Sequence, residues 1–228
     1  MVPFLLCLIA LILAISAESG TSVFTPGEGG YPCIRIPAIA STPDGTLNAF
    51  AECRGWKGDG CDPTSYNGPF KNRNLSDTTQ RWVCQKRSTD NGKTWSNLSF
   101  PVGLKYTSME PTIVYDYISS QLVLQINAYI GQHNQTVLQT ISKDNGLTWS
   151  EPIDIGHLYL PNDTNLIVGP GTGLQLINNP ESKYYGRLLF IGYQGDYKDA
   201  RVWYSDDYGK TYTLSPTVLP GMDESQLG

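Results

Sequence analysis

A chain of 228 residues with 40% hydrophobic residues and a net charge of −5 can bury a substantial core, in one large domain or two small ones, which excludes a disordered tail. Only 16% of the residues are charged, and no run of Lys or Arg offers a track for phosphates, so nucleic acid is not an expected partner.

Residues 3–17 form an uncharged apolar run that ends in small residues and is followed by Glu18, Ser19 and Gly20. The run is shorter than the roughly 20 residues a spanning helix needs, and no basic flank follows it. A signal peptide over residues 1–17 is therefore expected in preference to a membrane anchor, with the mature domain running from 18 to 228. Its removal takes away Cys7 and leaves Cys33, Cys53, Cys61 and Cys84, an even number in a chain bound for an oxidising compartment. One or two disulfides fit this pattern, three full connectivities are open, and buried free thiols are the alternative. Metal ligation is not expected, because the cysteine spacings are irregular and the histidines are His133 and His157 alone. N-x-[ST] sequons at Asn74, Asn97, Asn134 and Asn162 fit a secreted or lysosomal-lumen chain.

Further along, short apolar runs such as TLNAFAE at 46–52, QLVLQINAY at 121–129 and GRLLFIGY at 186–193 alternate with Gly, Pro, Asn and Asp clusters. Helix-period stretches are missing, so the chain reads as all-β. Residues 55–76, rich in Gly, Asn, Asp and Pro, read as a loop insert. One frame recurs three times: STDNGKTW at 88–95, SKDNGLTW at 142–149 and SDDYGKTY at 205–212. Each copy follows a β-like run, and their spacing of roughly 50 to 60 residues is the size of a propeller blade. Such a turn places an Asp carboxylate to accept hydrogen bonds from turn amides, a Gly at positive φ, and a Trp or Tyr to pack beneath.

This repeated turn is the Asp box, and here it follows YPCIRIPAIASTPDGTLNAFAECR at 31–54. That combination resembles the opening of the exo-α-sialidase family, with an Arg-Ile-Pro strand followed by a strand ending in Ala-Glu-x-Arg. Ser108-Met109-x-Pro111, Gly169-Pro170-Gly171-x-Gly173 and Asp223-Glu224-x-Gln226 match in the same order. The resemblance implies a six-bladed β-propeller, of which this length supplies an incomplete arc of about three to four blades. Unpaired strand edges would then leave the isolated chain poorly folded and inactive.

The resemblance also implies a site. Sialic acid carries a carboxylate at its anomeric carbon, and a guanidinium matches that planar anion in bidentate fashion. Arg35 and Arg54 match two of the family's three arginines, and the third is expected after Gly228. Retaining sialidases use a Tyr nucleophile activated by a Glu; Glu224 matches that Glu, while the Tyr is expected further downstream. The general acid/base is an Asp between the second Arg and the strand before the first Asp box. Counting forward from Arg54 gives Asp59, with Asp62 just beyond, and counting back from the strand gives Asp77. The strand-anchored Asp77 is preferred, since a loop can lengthen without moving the strand; a glycan on Asn74 would favour the other two. Glu110 falls where the family lines the pocket near the sugar's amide and hydroxyl substituents, and Tyr193 falls on a blade strand whose aromatics often touch the sugar; a purely structural role is the alternative for each. The implied activity is hydrolysis of terminal sialic acid on glycoproteins, oligosaccharides or gangliosides, without metal or organic cofactor. Sialylated glycans are the implied partners, and a membrane is met only through glycolipid substrate. A non-catalytic, lectin-like sialic-acid-binding propeller is the alternative, and another Asp-box propeller is disfavoured by the R-I-P and A-E-x-R pair.

Overall fold

The structure is a computed structural model that describes residues 20–55, 81–130, 134–158, 166–194 and 199–228. The expected signal peptide and nearly all of the loop insert, with Asp59, Asp62, Asn74 and Asp77, lie outside the described residues.

The strands, in chain order, are β1 (Cys33–Ser41), β2 (Leu47–Arg54), β3 (Arg81–Ser88), β4 (Thr107–Asp116), β5 (Gln121–Ile130), β6 (Asn134–Ser142), β7 (Ile153–Asp154), β8 (Leu166–Val168), β9 (Gly171–Thr172), β10 (Leu174–Gln175), β11 (Leu188–Gln194), β12 (Asp199–Ser205) and β13 (Thr213–Pro220). They form three sheets of up-and-down strands. The first runs β1-β2-β3, with a bridge from Gln85 to Ser99 as the start of a fourth strand. The second runs β7-β6-β5-β4-β9, and in the third β10-β11-β12-β13 follow one another while β8 also pairs with β11. All pairings are antiparallel except that of β4 with β9. Each sheet is one blade, and the three together form an open arc of a propeller.

Period-2 alternation explains how the blades stack. In the middle blade Ile113, Leu122, Leu124 and Ile126 face the first blade, where they pack on Ala38, Phe50 and Val83. Their neighbours Val114, Val123 and Val137 face the third blade, packing on Leu188, Phe190 and Trp203. Both faces of the middle sheet are thus core, and its strands read as nearly continuous apolar runs. A Leu124→Ala truncation at such a site costs about 2–5 kcal/mol.

Each Asp box closes the turn after the third strand of its blade. In the first, the Ser88 hydroxyl donates to Asp90 and accepts the Gly92 amide, while Thr94 donates both its amide and its hydroxyl to Asp90. The same bonds recur at Ser142-Asp144-Thr148 and at Ser205-Asp207-Thr211. Asn91 and Gly92 both take positive φ (59° and 81°), the pairing that matches a hairpin to strand twist. The boxes also latch blades together. Gln85 of β3 donates to the Gly146 carbonyl and accepts the Trp149 indole N–H, and Gln139 of β6 donates to the Gly209 carbonyl and accepts the Tyr212 hydroxyl. The corresponding position in β12 is Val202, which has no such amide. A Cys53–Cys84 disulfide, with Cα atoms 5.9 Å apart, ties β2 to β3, and Cys33 is disulfide-bonded as well.

Candidate active site

The inner strand of every blade is broken at a comparable point. The register of β1 shifts between Arg35 and Ala38, and that of β4 between Met109 and Thr112. Within those breaks Ile36 and Glu110 adopt φ of 58° and 54°, each directly before a proline, a conformation costing about 1–3 kcal/mol for a residue with a Cβ. In the third blade the break is Gly169-Pro170-Gly171: β9 leaves to pair with β4, and Gly171 sits at φ 117°. The C-terminal segment packs into this last break, since a Cβ on Gly169 or Gly171 would collide with Ser225 or Gln226. The G-P-G spacing is therefore what admits the Glu224 loop.

All three breaks lie at the strand ends remote from the Asp boxes. Along β2, Leu47 pairs with Ser88 of the first box, whereas Arg54 pairs with Arg81; the two ends are roughly 20 Å apart. Register also sets the facing: Glu52 lies opposite Arg35, and Arg54 opposite Arg81. All four side chains consequently leave the first blade on the side that faces the second.

Glu52 is the hub of this cluster and is fully buried. Its Oε2 accepts from Arg54 Nε at 2.8 Å, lies 2.7 Å from the terminal nitrogen of Arg54, and is 3.6 Å from Arg81. Its Oε1 accepts the backbone N–H of Glu110 at 2.9 Å, so the strained bulge of β4 is held by a carboxylate of the first blade. Arg54 and Arg81 are themselves buried.

The two remaining carboxyls are held above the usual carboxylate range. Burial, then the charges of Glu52 and Glu224, push Glu110 up to about 9 against the opposing pull of Arg81 and Arg54. Its Oε2 has no hydrogen-bond partner among the described residues. Glu224 is raised by partial burial and by Asp223 and Glu52, with Arg35 and Arg54 opposing. Arg35, Ile36 and Pro37 line a cavity of about 510 Å³ together with Pro170, Glu224 and Gln226.

Four of the sequence-expected residues are thus brought together: Arg35, Arg54, Glu110 and Glu224. Tyr193 is buried in β11 among Met109, Ile167, Ile191 and Ala200 and is not among the residues lining the cavity. Asp77, like Asp59 and Asp62, lies outside the described residues. Sequence reasoning missed Glu52 and Arg81. The first had a signal, since a Glu two residues before Arg54 on a strand must share its face; the second begins a strand directly after a long insert and belongs to no motif. Among the described residues no cluster of His, Cys, Asp and Glu is suited to a metal.

Residues 86–97 match the BNR/Asp-box repeat family, which together with the three stacked up-and-down sheets defines the chain as an Asp-box β-propeller. Sequence relatives narrow this. The chain is 29% identical over 224 residues to a sialidase of Micromonospora viridifaciens, an alignment covering 88% of this chain and 31% of that protein. It superposes on the NanB sialidase of Streptococcus pneumoniae with a TM-score of 0.67 at 15% identity, over 91% of this chain and 48% of the other. A leech intramolecular trans-sialidase, solved with 2,7-anhydro-Neu5Ac, gives 0.66 at 15% identity, over 87% and 46%. At that identity the structures speak for the fold alone. In its motifs and its sequence relatives the chain is similar to the exo-α-sialidases, and it spans less than half the length of these relatives.

Proposed function

We propose that the protein is an exo-α-sialidase that removes terminal sialic acid from glycoproteins, oligosaccharides or gangliosides with retention of configuration. The observation that carries this reading is the convergence of Arg35 and Glu224 on one cavity, beside the buried Arg54–Glu52–Arg81 cluster. Arg35 and Arg54 bind the sugar carboxylate. With Glu110 neutral, three guanidinium groups outweigh Glu52 and Glu224, so the pocket keeps the net positive charge an anionic sugar requires. The neutral Glu110 carboxyl offers a hydrogen bond to the amide or hydroxyl substituents. Glu224, whose affinity for a proton is raised, is suited to take the phenolic proton of a Tyr nucleophile. Asp77 protonates the leaving oxygen and later activates water. No residue of the 228 matches the third Arg or the Tyr, so these three blades are inactive by themselves.

Turnover of a fluorogenic sialoside by the protein with its full ring tests the assignment. Arg35→Ala and Arg54→Ala are each expected to lower kcat/KM by about 10²-fold or more. Turnover that survives both substitutions would remove the assignment. Turnover by the 228-residue chain alone, lost in Arg35→Ala, would show that three blades suffice.

A further inference from the structure

The junction between neighbouring blades occurs twice at the Asp-box end, and its two copies differ. Between the first and second blades it is sealed: Asn145 of the second box donates to Asp44 of the β1-β2 hairpin at 2.7 Å, and Arg87 at the end of β3 donates to the Asn145 carbonyl at 3.0 Å. Between the second and third blades both sealing groups are replaced. Ile141 occupies the place of Arg87, and Tyr208 that of Asn145, facing a hairpin that presents Ser119 and Ser120 where the first blade presents Asp44. A cavity of about 510 Å³ remains there, within the range of small-ligand sites.

Tyr208 is the unusual member of its wall. It adopts φ 61°, where the other two boxes carry Asn. Asn tolerates the left-handed region, whereas a bulky ring there is strained and suggests a use for the side chain. The ring is 38% exposed. Its backbone is fixed from below, because Gln121 donates to the Tyr208 carbonyl at 3.3 Å and Gln139 to the Gly209 carbonyl at 2.9 Å. The groove is thus preformed between two blades that are both complete on this side, with Lys143 and Lys210 on its rim. Nearby carboxylates do not neutralise these amines by pairing: Asp144 and Asp207 are occupied inside their own boxes.

We propose that this groove is a second carbohydrate site, distinct from the cavity at Arg35, and that it binds an acidic saccharide. A sugar ring stacks on Tyr208, its hydroxyls meet Ser119, Ser120 and Gln121, and its sulfate or carboxylate lies between Lys143 and Lys210. The proposal is independent of the activity proposed above, because no residue of the Arg35 cavity takes part.

Calorimetric titration of the protein with a heparin-derived disaccharide, with digalacturonate and with lactose tests it. At least one acidic disaccharide is expected to bind ten-fold or more tightly than neutral lactose, and which one does so tells sulfate from carboxylate recognition. Tyr208→Asn, which installs the residue of the other two boxes, is expected to weaken that binding at least ten-fold while its Tm stays equal or rises. The double change Lys143→Ala with Lys210→Ala is expected to abolish it, and Arg35→Ala to leave it unaltered. Acidic disaccharides that bind no better than lactose, or a Tyr208→Asn protein that binds like the parent, would overturn the proposal.

Discussion

At the Asp-box end of the blades, the carboxylates of Asp90 and Asp144 are held down at about 2. For Asp90 the hydrogen bonds from Thr94 dominate; for Asp144 burial acts upward, but the bonds from Thr148, Ser142 and Leu147 outweigh it. At the opposite end of the same sheets, roughly 20 Å away, burial and neighbouring negative charge push Glu110 up to about 9. One residue class is used in opposite senses. The boxes surround an exposed carboxylate with donors and so fix a turn, whereas the inner strand ends bury carboxyls among guanidinium groups and so prepare a pocket. The first device is repeated three times with the same bonds, while the second is assembled once, from different residues of each blade.

The comparison is broken most severely at its hub. Glu52 bonds Arg54 and the Glu110 amide and lies near Arg81, all of them buried. Glu52→Ala leaves two buried cations without their anion and is expected to cost about 3–5 kcal/mol, read as a lowered midpoint in urea denaturation. Glu52→Gln, which retains an acceptor for the Glu110 amide, is expected to lose less. A Glu52→Ala protein as stable as the parent would show that the cluster does not hold β4 to the first blade.

A smaller effect follows from Glu110, and its sign runs against that of the boxes. Its folded pKa, about 9, lies above its usual 4.5, so the folded state holds a proton that the unfolded state releases. That stabilisation is complete below about pH 4.5 and is lost as pH rises through about 9. The denaturation midpoint is therefore expected to decline from pH 5 to pH 9, and Glu110→Gln, which cannot ionise, to flatten that limb. An unchanged slope in Glu110→Gln would mean that other groups set it.

The two ends were also unequally legible in the sequence. The boxes could be read because their chemistry is short-range: Ser, Asp, Gly and Thr within eight residues make every bond, whatever surrounds them. Arg35 and Arg54 could be read because they sit in matched strand motifs. The bulge at Glu110 could not, since nothing local favours positive φ before Pro111; it is held by Glu52, 58 residues earlier. Arg81 was invisible for a related reason, its role arising from register with Arg54 across the long insert. Tyr193 was legible in a different way. Alternation along β11 sets it on the same face as Ile191, against Met109 and Ala200, which is the structural role that the period of the strand implies.

The smallest expected effect sharpens the contrast at the box end. Asp144 is largely solvent-exposed, so water screens its charge and discounts the value of its bonds. Its depressed pKa gives stabilisation that is present above about pH 4 and is lost as pH falls towards 2. Asp144→Asn is therefore expected to lower Tm at neutral pH by less than Glu52→Ala does, and to make the acid limb of the stability curve between pH 2 and pH 4 shallower. The limb above pH 5 should stay as it is, because Glu110 governs it from the other end. Sialoside turnover by the full ring should also remain within about two-fold of the parent, since the box makes no contact with Arg35, Arg54 or Glu224. Should Asp144→Asn instead depress kcat/KM while leaving the fold intact, the two ends would be energetically coupled through β6 and β5, and their division of labour would not hold.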